Sequence, residues 1–137
     1  MRLTSFTDYG LRVLMRLAGA PDRMFTTDQI ATEFVVSRNH LTKVVQDLVR
    51  CGYVTAQRGK GGGLRLARAA QDIRLGDVIG HLEQDSALVE CFRADGGVCV
   101  LTPNCRLKHR LYAARLAFLA AMNTTTLADC AYLGQPA

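Results

Sequence analysis

The sequence has little of what membrane and secreted proteins need. No run of apolar residues approaches the ~20 that a membrane-spanning helix requires. Residues 1–8 lack the charged-then-apolar order of a signal peptide. The five cysteines, an odd number, argue against a complete disulfide framework. We therefore expect a cytoplasmic protein with no membrane contact, in which thiols stay reduced.

The composition that is present is ordinary for a globular protein, but its positive charge is unevenly placed. Of the 137 residues, 49% are hydrophobic, which is enough for one modest core. The net charge is +5. Two basic stretches contain Arg38, His40, Lys43, Arg50, Arg58, Lys60, Arg65 and Arg68, and then Arg106, Lys108, His109, Arg110 and Arg115. Such a field favours nucleic acid through phosphate contacts, although charge alone fits a solvated surface equally well.

Three amphipathic helices are predicted at the start of the chain. Apolar residues recur at helical spacing over residues 7–19, and Thr26 with Gln29 fits a capping box that opens a second helix. After a short break, Ser37 is a good N-cap for a third helix. The apolar positions of that helix are Leu41, Val44, Val45, Leu48 and Val49. The second and third helices therefore form a candidate helix-turn-helix.

A β-hairpin is predicted directly after the third helix. Residues 53–58 and 64–67 alternate as strands, and a glycine-rich turn joins them. The candidate DNA contacts are Ser37, Arg38, Asn39, His40 and Lys43 on the third helix, with Arg58 and Lys60 at the hairpin tip. We predict a mostly α fold with a small β-hairpin, in which residues 1–72 form a winged helix-turn-helix DNA-binding domain.

The second half is predicted to hold a short helix, a polar segment and a long helix. Residues 74–83 have helical spacing, and Thr102 followed by Pro103 predicts the start of the last helix. Its apolar residues Leu107, Leu111, Ala114, Phe118 and Ala121 step by four and three. This heptad seam predicts a dimer contact, with packing on the chain's own core as the alternative. Residues 73–137 are expected to carry this dimerisation helix and, before it, a loop whose cysteines Cys91, Cys99 and Cys105 make it a candidate cluster-binding loop.

Three of the five cysteines, Cys91, Cys99 and Cys105, lie in one short polar segment. Three thiolates in one loop suit a soft metal or an iron–sulfur cluster. Zinc with Asp8 or His109 as fourth ligand is a rival interpretation, and so is a disulfide switch that needs no metal. An enzyme is the least expected, because no constellation of nucleophile, base and orienting group stands out.

Several strings of the sequence resemble one family. They are residues 1–12 (MRLTSFTDYGLR), 36–40 (VSRNH), 52–56 (GYVTA), 58–60 (RGK) with its following glycines, 101–108 (LTPNCRLK) and 126–129 (TLAD). They resemble the NsrR family of nitric-oxide-sensing repressors, which stands with IscR in a group of winged-helix, iron–sulfur regulators that act as homodimers. The likeness covers nearly the whole chain.

The resemblance implies a function and a set of ligands. It implies a repressor of promoter DNA, whose cluster is bound by Cys91, Cys99 and Cys105 and completed by Asp8 of the partner subunit. Both 2Fe–2S and 4Fe–4S clusters suit such ligands. IscR-type members place a histidine three residues after the last cysteine, where this chain has Lys108. That difference favours NsrR, with an IscR-like role in iron–sulfur homeostasis as the alternative.

The expected signal is nitric oxide. A carboxylate is a harder and more labile ligand to iron than a thiolate, so the iron that carries it is the natural point of attack for a small molecule. Loss of the cluster would release the loop before the dimerisation helix. A change in the spacing of the two recognition helices would then release promoter DNA.

Overall fold

The first three helices each begin at a hydroxyl side chain. In the computed structural model, which describes residues 1–136, helices α1, α2 and α3 span Ser5–Ala18, Thr27–Phe34 and Arg38–Arg50. Thr4 caps α1, and Ser37 caps α3 by accepting the backbone N–H of His40. Thr26 and Gln29 form the predicted capping box of α2, in which each side chain accepts from the other residue's backbone. The predicted helix starts are therefore confirmed for α2 and α3.

The core of the helix-turn-helix lies between α1, α2 and α3. Leu41, Val44, Val45 and Leu48 of α3 are buried, as their spacing predicts. Val49 is 38% exposed, so its predicted core position is wrong. One step beyond Leu48 turns a side chain about 100° around the helix, away from the core face. The turn between α2 and α3 passes through Val35, which has φ +55° and is 91% exposed.

The predicted hairpin is confirmed as a two-stranded antiparallel sheet. Strand β1 spans Val54–Gln57 and β2 spans Gly63–Leu66, with Thr55 opposite Arg65. The turn depends on glycine, because a Cβ atom on Gly62 would lie 2.1 Å from the carbonyl oxygen of Gln57. The hairpin is held to the helices where Leu64 exchanges two backbone hydrogen bonds with Phe25.

Two further helices complete the fold and pack closely on each other. Helix α4 spans Leu75–Leu82 and α5 spans Arg106–Met122. Gly76 lets them approach, since a Cβ atom there would lie 2.2 Å from the carbonyl oxygen of Leu119. Asn123 accepts the backbone N–H of Asp77 and donates to its carboxylate, each at 2.9 Å. This pair satisfies a free backbone group in the first turn of α4 and fixes the end of α5 beside it.

The start of the last helix differs from prediction. Thr102 and Pro103 do not start it; the helix begins at Arg106, and the N-cap position is Cys105. The residues just before Arg106 form turns and irregular structure instead of helix. The Thr102 hydroxyl has no hydrogen-bond partner and therefore caps no backbone group. Of the predicted seam, Leu111 and Phe118 are half-buried, while Leu107, Ala114 and Ala121 are exposed.

The hydrophobic core crosses the predicted boundary at residue 72. Ile73, Leu75, Val78 and Leu82 belong to the same buried cluster as the helix-turn-helix, and Leu127 joins it after α5. Between residues 83 and 126, no residue is buried. The predicted mostly α fold with a small β-hairpin is confirmed. Among residues 1–136, no helix is both long enough and apolar enough to cross a membrane.

Candidate DNA-binding face and cysteine segment

The start of α3 is exposed and carries most of the predicted DNA contacts. Ser37, Arg38, Asn39 and Lys43 are all exposed. The Ser37 hydroxyl is engaged as the helix cap, at 3.4 Å from the backbone nitrogen of His40. Arg38 forms an ion pair with Asp28 of α2 at 2.8 Å. An exposed ion pair of this kind is weak in water, so Arg38 can exchange Asp28 for a phosphate at little cost.

His40 differs from its neighbours because it faces α1. Its ring is half-buried, with its centroid 5.0 Å from that of Tyr9 in an edge-on arrangement and 6.4 Å from that of Phe6. Edge-on aromatic pairs of this kind stabilise packing. His40 therefore joins α1 to the start of α3, and its predicted contact with DNA stays a prediction.

The exposed face of α3 extends beyond the predicted residues. Asn39, Lys43, Gln46 and Arg50 recur at helical spacing and are all exposed. Gln46 was missed because a neutral amide does not add to a basic cluster. Arg58 and Lys60 are exposed in the turn of the hairpin. Within residues 1–136, neither of them forms an ion pair. The geometry offers one helix face and one basic hairpin tip to a DNA duplex.

The cysteines divide into two classes. Cys51 and Cys130 pack against the core, and burial raises the pKa of the Cys51 thiol. Cys91, Cys99 and Cys105 are half-buried in the segment between α4 and α5, and all five thiols are free. Within residues 1–136, no three His, Cys, Asp or Glu side chains converge in a geometry that holds a metal ion. The triad therefore lies in one segment without forming a closed site in the single chain.

The donor chemistry of the segment nevertheless fits an iron–sulfur cluster. Three free thiols on one irregular segment supply the thiolate ligands that such clusters use. The segment contains no buried residue, so its path is not dictated by the core and can close around a bound group. With only three thiols, one iron needs a ligand from elsewhere.

Asp8, the predicted fourth ligand, lies on the exposed side of α1. Its carboxylate accepts two hydrogen bonds from the guanidinium of Arg12, at 2.8 and 3.1 Å. Arg12 also lies over the ring of Tyr9. The i,i+4 spacing of Asp8 and Arg12 is the sequence signal from which this pair could have been predicted.

Glu83 fastens the start of the cysteine segment to α1. One of its carboxylate oxygens accepts the backbone N–H and the hydroxyl of Thr4, each at 2.8 Å. Burial raises the pKa of Glu83, but hydrogen bonds from Thr7, Thr4 and Ser86 outweigh it and hold the pKa below its ordinary value. Sequence reasoning missed this contact, because the two partners are 79 residues apart.

A second contact joins α4 to the hairpin. The hydroxyl of Tyr53 lies 2.6 Å from Nδ1 of His81, and the Arg68 guanidinium lies over the Tyr53 ring at 4.8 Å. Burial raises the pKa of Tyr53. The body of the hairpin is thus coupled to the helix that leads into the cysteine segment.

Comparison with known proteins finds relatives that are transcriptional regulators. Residues 3–132 match the family model Rrf2, described as iron-dependent transcriptional regulator. The chain is 46% identical to the HTH-type transcriptional regulator NsrR of Bacillus subtilis over 130 residues, which are 94% of this chain and 89% of that protein.

Solved structures agree on the fold. The structure of CymR, the global cysteine regulator of B. subtilis, matches with a TM-score of 0.74 and 28% identity, covering 96% of each chain. The structure of T. potens IscR matches with a TM-score of 0.72 over 94% of this chain and 85% of that one. At 24% identity the second likeness is one of fold.

Proposed function

Since the chain belongs to the Rrf2 family of iron-dependent transcriptional regulators, we propose that it is a repressor whose grip on promoter DNA depends on a nitric-oxide-sensitive iron–sulfur cluster. It is a DNA-binding regulator of the winged-helix class and not an enzyme.

The DNA-binding residues that we propose are the exposed ones of α3 and the hairpin. Asn39, Lys43 and Gln46 face the major groove, and Arg38 contacts phosphate after leaving Asp28. Arg58 and Lys60 contact phosphate or a narrow minor groove at the hairpin tip. Ser37 contributes as the cap that fixes the start of α3, and His40 contributes by holding that start against α1.

The cluster ligands that we propose are Cys91, Cys99, Cys105 and Asp8 of the partner subunit. When bound, the cluster supplies an iron with one labile oxygen ligand, which is where nitric oxide reacts. The repressor acts as a homodimer in the cytoplasm. Its exposed apolar residues on α5, Leu107, Tyr112 and Leu116, support a dimer face there, because a helix with no buried residue leaves its apolar area in water.

The chain itself provides a route from the cysteine segment to DNA. Glu83 ties the start of that segment to the first turn of α1. Phe6 and Tyr9, in the first two turns of α1, pack against His40 of α3. A change in the path of the cysteine segment therefore moves the recognition helix through two successive packed contacts. The observation that carries the proposal is this placement of a free thiol triad in a chain 46% identical to NsrR.

The test begins with anaerobically purified protein. Its absorption spectrum and its iron and sulfide contents are measured before and after addition of nitric oxide. The cluster-loaded protein is also used to select binding sites from a random DNA library, and its affinity for the selected DNA is measured by fluorescence anisotropy. We expect a brown protein that nitric oxide bleaches, with loss of DNA binding. Cys99→Ser should lose the colour, and the matched control Cys130→Ser should keep it. Equal DNA binding by loaded and cluster-free protein would overturn the proposal.

A thiol switch is the second candidate function. The observation that favours it is that residues 1–136 contain no preformed group of metal ligands, while three free thiols share one segment. Two of these thiols could form a disulfide that changes the path of the segment. A protein that stays colourless after reconstitution with iron and sulfide, and that loses DNA binding in oxidised glutathione, would establish this candidate instead.

A further inference from the structure

We propose that Glu90 is a positioning residue that holds Cys91 and Cys99 side by side before any group is bound. Its side chain closes the seven-residue interval between these cysteines by a hydrogen bond to the backbone. The proposal deepens the proposed function, since it explains how a long interval presents two of the three cluster ligands. It concerns the cluster-free chain and can be tested there.

The closing contact is direct. Oε1 of Glu90 accepts the backbone N–H of Val98 at a distance of 3.0 Å. Glu90 immediately precedes Cys91 and Val98 immediately precedes Cys99. The hydrogen bond therefore joins the two residues that lead into the cysteines, and it brings the two thiol-bearing positions to the same end of the loop.

Glycine makes this approach possible. Gly96 and Gly97 both have positive φ, at +76° and +62°, a conformation that L side chains rarely adopt. A Cβ atom on Gly97 would lie 2.5 Å from Cγ and 2.8 Å from the carbonyl oxygen of Glu90, so the two backbones are in contact. A Cβ atom on Gly96 would meet nothing within 4 Å. The two glycines thus share a backbone conformation and differ in their contact with Glu90.

Other contacts hold the loop in the same shape. Asp95 accepts the backbone N–H of Gly97 at 3.0 Å and the guanidinium of Arg93 at 2.7 Å. The ring of Phe92 packs edge-on against Tyr112 of α5, with centroids 6.3 Å apart. The interval is therefore an ordered turn that is fixed to α5 at one end and closed by Glu90 at the other.

The consequence is a pair of thiols with a raised effective concentration. Each thiol is held near the other by local contacts, so a group that binds both loses less chain entropy than in an open loop. Cys105 follows after six positions as the N-cap of α5 and is not part of this turn. Glu90 acts through the cysteines and is not itself proposed as a ligand.

The experiment measures disulfide formation in reduced, metal-free protein. The chain is equilibrated with reduced and oxidised glutathione, thiols are trapped by alkylation, and the Cys91–Cys99 disulfide is quantified by peptide mass spectrometry. In this exchange the two protein thiols give up two electrons and two protons, and one glutathione disulfide takes them up to form two glutathione thiols. We expect Glu90→Ala to lower the equilibrium constant for this pair about fivefold, as loss of one net hydrogen bond does.

Two matched comparisons separate the contact from its alternatives. Glu90→Gln keeps an oxygen acceptor and should stay within about twofold of the unaltered chain, since only the charge is removed. Gly97→Ala should lower the equilibrium constant for the disulfide as Glu90→Ala does. Gly96 also has a positive φ but does not contact Glu90, so Gly96→Ala should lower this constant less. Equal constants for Glu90→Ala and the unaltered chain, or equal losses at Gly96 and Gly97, would overturn the inference.

Iron and sulfide uptake, measured on the same variants, keeps this inference separate from the proposed function. If the unaltered chain takes up no cluster but the disulfide constants follow the expected order, the proposed function is wrong and the positioning role stands. If the unaltered chain loads a cluster and Glu90→Ala pairs its thiols equally well, the positioning role is wrong and the proposed function stands.

Discussion

The two halves of the molecule are stabilised in different ways. The helix-turn-helix and hairpin share one buried core, and side-chain caps begin each of their helices. Residues 83–126 contain no buried residue, although they carry exposed apolar side chains such as Val98 and Val100, which are 86% and 92% exposed. The helix-turn-helix and the hairpin are therefore held by a packed core, which α4 and Leu127 help to build. The second half depends on local hydrogen bonds and on whatever covers it.

This difference is suited to a switch. A DNA-reading surface must keep its geometry, which a packed core enforces. A sensing segment must change its path when its ligand changes, and segments with few buried contacts open at low free-energy cost. The contact of Glu83 with Thr4 lies where the two kinds of structure meet, and the packing of His40 on Tyr9 lies within the helix-turn-helix.

The largest effect is expected for a matched pair of leucine truncations, which compares the packing of the two halves. Leu48→Ala removes a fully buried side chain of α3 and should lower the free energy of unfolding by about 2–5 kcal/mol. Leu116→Ala removes a half-exposed side chain of α5 and should change it by less than about 1 kcal/mol in dilute protein. Urea unfolding gives both values. If the two losses were equal, the two halves would not differ in packing.

A second test weakens the link between the halves. Glu83→Ala should lower the free energy of unfolding by about 1.5–3 kcal/mol, because it leaves partly buried donors of Thr4 without a charged acceptor. The pKa of Glu83 is lowered in the folded protein, so its contribution is fully present above the ordinary carboxyl pKa. That contribution is lost as the pH falls through the lower, folded-state pKa.

The pH dependence supplies the control for this variant. The difference in stability between the unaltered chain and Glu83→Ala should therefore shrink on acidification, in unfolding curves taken from neutral pH downward. Gln84→Ala, at the next position and exposed, removes no charge and should show no such convergence. A difference that stayed constant with pH would mean that the charge of Glu83 does not stabilise the link.

A third test should raise the stability of the helix-turn-helix. Val35→Asn should raise the free energy of unfolding by up to about 1 kcal/mol, because asparagine tolerates the left-handed conformation better than a β-branched residue does. Val49→Asn, at an exposed position with helical backbone, is the control and should bring no gain. Thermal unfolding at neutral pH compares them. Equal midpoints for the two variants would mean that Val35 is not strained.

The smallest effect is expected at the hairpin tip. Lys60→Ala should weaken binding to all DNA sequences alike and reduce the slope of log affinity against log salt by about one, as loss of one phosphate contact does. Gln57→Ala, an uncharged exposed neighbour on β1, should leave the slope unchanged. An altered sequence preference with an unchanged slope would show that Lys60 reads bases.

Local signals made the first half predictable. The caps at Thr26 and Ser37, the spacing of Leu41 to Leu48 and the glycine-rich turn act over a few residues, and the structure confirms them. The last helix was placed less well. A threonine before a proline is a strong local start signal, but the helix begins at Arg106. Of the predicted seam, Leu111 and Phe118 are half-buried and Leu107 is exposed, and its role as a dimer contact stays a prediction.

The candidate site shows the same division. The sequence was enough to pick out the thiol triad, the basic hairpin tip and the exposed start of α3, because these depend on residue type and spacing. It did not reveal the Glu83 contact with Thr4, the packing of His40 on Tyr9 or the hydrogen bond between Tyr53 and His81. Those partners are far apart along the chain, and no periodic pattern records them.

By itself, the sequence determined the first three helices, the hairpin and the chemistry that the cysteines offer. Capping, hydrophobic periodicity and thiol content are local properties, and each acts within a few residues. Only the tertiary structure decided which of these features touch, that the core extends across residue 72 and that residues 83–126 remain uncovered. Those outcomes depend on how distant segments share one limited buried volume, which is a property of the folded chain as a whole.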